Sequence, residues 1–164
     1  MSTAEPQDGP LTAAERADIL ALAAREPVPR AAAISALCQV QLKRRYISDA
    51  ILAEIAGLLG MSTAELDEVA TFYNLIFRRP VGEQVIFLCN SVSCWMLGQP
   101  GLAAHLRARL GLKPGQTTAD GRYTLLPIVC LGHCDHAPAM LLGGTLHGDL
   151  DPAKLDELLC LETA

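Results

Sequence analysis

From Thr12 to about position 77, apolar residues recur at intervals of three and four, the spacing that lines one face of a helix. A first helix is expected over about 12–26, carried by Ile19, Leu20 and Leu22 and stopped by Pro27 and Pro29. Thr12 followed by Glu15 marks its start, because the hydroxyl accepts an amide of the first turn while the carboxylate reaches back to the cap. Residues 30–46 repeat the pattern with Ala33, Ile34, Leu37, Val40 and Gln41. Ser48 and Asp49 open a third helix through Ile51, Ile55 and Leu58 to Leu59, with Gly60 as its C-cap. Ser62 with Glu65 opens a fourth, bearing Leu66, Val69, Phe72 and Tyr73, and Pro80-Val81-Gly82 closes the region.

Beyond Gly82 the pattern becomes mixed. Val85-Ile86-Phe87-Leu88 is a short apolar run of strand formers ending at Cys89, and Tyr123 to Val129 is a second, ending at Cys130. Between them Leu102, Leu106 and Leu110 form a helical stripe that stops at Gly111. Ala139 to Leu142, Gly143-Gly144 and Thr145 to His147 read as a tight hairpin. Asp151 with Pro152 begins a last helix bearing Leu155, Leu158 and Leu159. The order strand, helix, strand, hairpin, helix predicts a small α/β sandwich with a mixed sheet. The expected organisation is a loose tail over 1–11, a helical region over 12–80 and an α/β domain over 81–164.

Charge and composition narrow the function. The 164 residues carry 13 Lys and Arg against 18 Asp and Glu, a net charge of −5, which offers no positive field to nucleic acid or anionic lipid. The apolar runs are far shorter than the roughly 18–20 residues of a membrane span. The opening MSTAEPQDGP lacks the basic residues of a signal or transit peptide. A cytoplasmic chain is expected, and in a reducing compartment its six cysteines point to metal binding or redox chemistry rather than to disulfides.

Four of these cysteines form pairs, Cys89-x4-Cys94 and Cys130-x3-Cys134, each in the loop expected to leave a strand. Strands joined through a helix run parallel, so both loops emerge at one end of the sheet and the four thiols can converge. Two thiolates on each iron suit a 2Fe-2S cluster, and four on one ion suit structural zinc. The wide spacings favour the two-metal arrangement over a zinc knuckle, and the lack of Cys-x-x-Cys argues against thioredoxin-type exchange.

The stretch VATFYNLIFRRPVG, then CNSVSC, LKPGQTTADGRYTLLP, CLGHCDHAPAM and GDLDPAKLDELL resembles the small 2Fe-2S subunits of the NADH:quinone oxidoreductases, respiratory complex I. The helical region fits as well, so the resemblance covers nearly the whole chain. It implies a thioredoxin-like ferredoxin domain preceded by a helical docking region, with Cys89, Cys94, Cys130 and Cys134 as the ligands of one 2Fe-2S cluster. It further implies a flavoprotein partner holding FMN and binding NADH, a larger iron-sulfur subunit in the same complex, and a peripheral position on the inner face of the membrane. Soluble NAD-dependent formate dehydrogenases and NAD-reducing hydrogenases contain the same module, and a zinc-stabilised interaction module is the rival of another class. The sequence has no Gly-x-Gly-x-x-Gly, Walker loop or nucleophile with an evident base, which fits an electron carrier with no substrate site of its own.

His133, between two expected ligands, is the candidate for tuning the cluster's potential. Cys38 and Cys160 are expected to be buried or spectator thiols, and His105, off the leucine stripe, to be solvated. His136 and His147 are expected in the loop and hairpin, Arg78 and Arg79 as surface charges, and Trp95 as a hydrophobic shield or interface residue.

Overall fold

A computed structural model describes residues 9–161, which form two compact units divided between Pro80 and Val81. The first is helical: α1 (Ala13–Ala23), a 3-10 turn (Pro29–Ala32), α2 (Ala33–Arg44), α3 (Asp49–Leu59) and α4 (Thr63–Phe72). Thr12 and Ser62 each form a full capping box with the glutamate three residues on, and Ser48 caps α3. Gly60 ends α3 with φ 66°, a left-handed conformation that costs glycine little. Ile19, Leu37, Ile47, Ile51, Leu52, Ile55, Leu59 and Leu66 are fully buried and make a continuous core.

Two arginines cross-link this unit. Arg44, itself buried, binds both carboxylate oxygens of Glu15 at 2.8 and 2.6 Å and donates to the carbonyls of Gly9 and Pro10. The expected tail lies outside the described residues up to position 8, and from Gly9 onward the chain is held by this guanidinium and by the buried Leu11. Arg78 is more than the expected surface charge, for it binds the Ile47 carbonyl, Asp49 and Asp67. The first and fourth helices are shorter than their apolar patterns predict. Helix α1 caps at Ala24, and α4 stops at Phe72, leaving that ring 78% exposed and Tyr73 beside it also exposed.

The second unit carries β1 (Gln84–Cys89), α5 (Val92–Met96), α6 (Gln99–Leu110), β2 (Tyr123–Ile128), β3 (Met140–Leu142), β4 (Thr145–His147) and α7 (Pro152–Leu158). The sheet order is β2-β1-β3-β4, with β1 parallel to β2 and antiparallel to β3. Gly143 and Gly144, with φ 55° and 92°, make the two-residue turn between β3 and β4. Ile86, Leu106, Met140, Leu155 and Leu159 are fully buried between the sheet and helices α6 and α7. Along the outer side of β2, Gly115, Gln116 and Thr118 exchange backbone hydrogen bonds with Tyr123 and Leu125. This is the expected mixed-sheet α/β architecture, with one further helix, α5, that the apolar pattern does not announce.

Candidate metal centre

The sheet delivers the cysteines. Cys89 is the last residue of β1, opposite Ile128, the last of β2, so the segments that follow leave from the same end. After Cys89 the chain turns at once into α5, which returns Cys94 toward the strand end, and both residues are only 2% exposed. Cys130 lies two residues beyond β2. Gly132, with φ 70°, lets the chain curl back so that Cys134 begins a 3-10 turn (Cys134–His136). Cys130 and Cys134 are exposed.

The sulfurs of Cys130 and Cys134 stand 3.9 Å apart. Two thiolates at about 2.3 Å from a tetrahedral metal are separated by about 3.8 Å, so this pair is already spaced to share one ion. The Gly132 amide donates to the Cys130 sulfur at 3.4 Å, and the Cys89 thiol donates to the Val129 carbonyl at 3.4 Å. Burial pushes the Cys94 thiol up in pKa, aided by its hydrogen bond with Cys89 and by negative charge at Cys89 and Cys134, while the Ala139 amide acts the other way. The Cys134 thiol is raised first by its hydrogen bond with Cys130, and the Ser93 hydroxyl opposes this. Each pair thus feels the other's charge, and among the described residues no three His, Cys, Asp or Glu side chains close on a single-ion position. The donors are soft sulfur in two pairs, one buried and one exposed, a two-plus-two set of the kind a 2Fe-2S cluster binds.

His133 lies against His136, ring centroids 4.7 Å apart, with its Nδ1 3.8 Å from Asp135. His136 Nδ1 is 2.7 Å from Asp149, and that hydrogen bond holds its imidazole pKa above the ordinary value. Gly148 sits where a Cβ would come within 2.5 Å of His136 Cβ and 2.7 Å of His133 Cδ2. The segment carrying Cys134 therefore rests directly on the turn after β4. Around the thiols Val92, Trp95 (62% exposed), Met96, Leu97 and Val129 present apolar side chains to solvent.

Other candidates fall away from this centre or are corrected. His105 is not solvated but bonds Asp156 at 2.7 Å, tying α6 to α7. Cys38, within α2, and Cys160 are exposed, so of the expected buried or spectator thiols only the burial is corrected. His147 ends β4 opposite Met140, and Arg79 is exposed. Sequence reasoning missed Ser93, the Val129 carbonyl and the Ala139 amide as partners of the thiols. Ser93 adjoins Cys94 in the CNSVSC segment, and the five-residue α5 is too short for apolar periodicity to reveal it.

The pattern of the thioredoxin-like [2Fe-2S] ferredoxin family matches residues 19–161. The chain is 46% identical over 149 residues to an NADH-quinone oxidoreductase subunit of Salmonella typhimurium, covering 91% of this chain and 90% of the relative. The corresponding subunit of Escherichia coli K12 gives the same values, and that of Pseudomonas aeruginosa is 44% identical over 131 residues, 80% of this chain and 79% of its own length. Among solved structures, an NAD+-reducing [NiFe]-hydrogenase in the air-oxidised state aligns with TM-score 0.65 and 31% identity over 78% of this chain. That alignment spans only 22% of the hydrogenase chain.

Proposed function

The chain belongs to the thioredoxin-like [2Fe-2S] ferredoxin family, and from that premise we propose that it is the electron-transfer subunit of an NADH:quinone oxidoreductase. In this reading Cys89, Cys94, Cys130 and Cys134 hold one 2Fe-2S cluster, which, when bound, supplies reversible one-electron storage without a proton donor or base. The observation that carries the reading is the delivery of two thiol pairs to one end of a parallel strand pair, the outer pair 3.9 Å apart.

The residues around the thiols divide the work. Cys89 and Cys94, buried between β1 and α5, keep water from one side of the cluster, while Cys130 and Cys134 open the other side to a donor. Electron exchange with a partner's cofactor needs close approach and a dry contact. The apolar rim of Val92, Trp95, Met96, Leu97 and Val129 offers that contact to the partner subunit that holds FMN and binds NADH. The helical unit, residues 12–80, serves for docking, and the larger iron-sulfur subunit belongs to the same assembly. Among the described residues no helix is long and apolar enough to cross a membrane. The proposed position is peripheral, on the cytoplasmic face of the membrane.

The hydrogenase alignment supports a second reading, in which the same module serves an NAD-reducing hydrogenase. Native purification separates the two, since membrane subunits copurify in the first case and a nickel subunit in the second. For the ligand set, alanine at Cys89, Cys94, Cys130 or Cys134 is expected to abolish or weaken the reduced-cluster paramagnetic signal, whereas alanine at Cys38 or Cys160 leaves it intact. About two irons and two acid-labile sulfides per chain are expected. Zinc without sulfide in natively purified protein would overturn the proposal.

A further inference from the structure

We propose that the four thiols take up a preassembled 2Fe-2S cluster in a fixed order, Cys130 and Cys134 first and Cys89 and Cys94 second, from a donor that carries the cluster on its own thiolates. The order rests on the ligand set proposed above. Access is the first observation behind it. Cys130 and Cys134 are exposed, whereas Cys89 and Cys94 are each 2% exposed. A donor still holding the cluster is a bulky body, so it can present iron only to sulfurs that reach the surface.

Preorganisation is the second observation. The outer sulfurs already stand 3.9 Å apart, close to the spacing one metal requires, and the Gly132 amide points at Cys130 as it would at a metal-bound sulfur. The Cys89 sulfur is differently engaged, since its proton is held by the Val129 carbonyl. Val129 immediately precedes Cys130, so metal capture at Cys130 acts on the segment that holds the Cys89 proton. The outer pair is the ready chelate, and the inner pair is a closed reserve.

Both steps are ligand exchange without redox change. In the first, two donor thiolates leave iron as Cys130 and Cys134 bind it; the incoming thiols lose two protons and the departing thiolates take them up. The second repeats this with Cys89 and Cys94, the Cys89 proton leaving the Val129 carbonyl. The electron count on the irons is unchanged throughout.

The test mixes the full-length apo-chain anaerobically with a glutathione-coordinated 2Fe-2S complex, followed by visible circular dichroism and native mass spectrometry. The unmutated chain is expected to finish with the cluster and no glutathione. The double variant Cys89→Ala/Cys94→Ala is expected to capture the cluster within about twofold of the normal rate but to retain two glutathiones, and Cys130→Ala/Cys134→Ala to capture it at least about tenfold more slowly. The reverse pattern, or equal slowing in both, overturns the order. Glutathione-free loading of either double variant overturns the ligand set instead. Maleimide labelling of the unmutated apo-chain is independent of any folding defect in the variants. Cys130 and Cys134 are expected to react at least about tenfold faster than Cys89 and Cys94, and equal rates for all four overturn the order.

Discussion

At position 148 even a methyl group would collide with the His136 and His133 side chains and the His136 carbonyl, all within 2.7 Å of where it would stand. Gly148→Ala is therefore expected to cost about 1–3 kcal/mol and to displace the segment that carries Cys134. A lowered thermal midpoint together with faster bleaching of the cluster would show both effects, and an unchanged midpoint would refute the argument. The buried Arg44 and Glu15 pair makes a different prediction. The Arg44 hydrogen bond, with smaller help from Thr12, holds the Glu15 carboxyl at about 2 against an ordinary 4.5, despite its burial. Because the folded pKa is the lower one, the stabilisation is complete above pH 4.5 and is lost as pH falls through about 2. With Glu15 only 6% exposed, it amounts to about 3 kcal/mol. Glu15→Gln should flatten the acid limb of the stability profile, and Arg44→Met, which strands a buried carboxylate, should cost about 3–5 kcal/mol at neutral pH. Denaturant titrations from neutral to acid pH measure both.

Elements whose ends are chemically marked were legible in the sequence. Thr12 with Glu15, Ser62 with Glu65, Gly60, Gly143-Gly144 and Asp151-Pro152 each mark a boundary by local hydrogen bonding or backbone freedom, and the structure uses each of them. The position of each cysteine relative to β1 and β2 followed from the same punctuation. What escaped is too short to show a period or depends on residues distant in the chain. Helix α5 is too short to show a period, and Phe72 has helical spacing yet, with its ring edge-on to Tyr73, stays 78% exposed. The bond from His105 to Asp156 joins residues 51 positions apart, so no local pattern reveals it. Asp156 also receives Arg109 at 3.3 Å and is the polar anchor between α6 and α7. Asp156→Ala is expected to loosen α7 by about 1–2 kcal/mol. Hydrogen exchange should accelerate in residues 152–158 and remain unchanged in α1 to α4; uniform acceleration would argue against a local role.

At the scale of the molecule, the helical unit and the sheet unit each have a continuous buried core, Ile19 to Leu66 in one and Ile86 to Leu159 in the other. A fragment of residues 81–164 is therefore expected to fold, accept iron and sulfide and give the full-length visible spectrum, while losing affinity for the flavoprotein partner proposed above. A fragment that stays unfolded after reconstitution would show that the units depend on each other. The outer side of β2 has one further consequence. Hydrogen-bonding direction alternates along a strand, so Tyr123, Leu125 and position 127 face away from β1. The first two are occupied by residues 115–118, and the third is Pro127, which has no amide hydrogen to offer. The opposite margin, β4, is three residues long. Neither margin can template another strand, so a newly made chain waiting for its partners is guarded against fibrous self-aggregation.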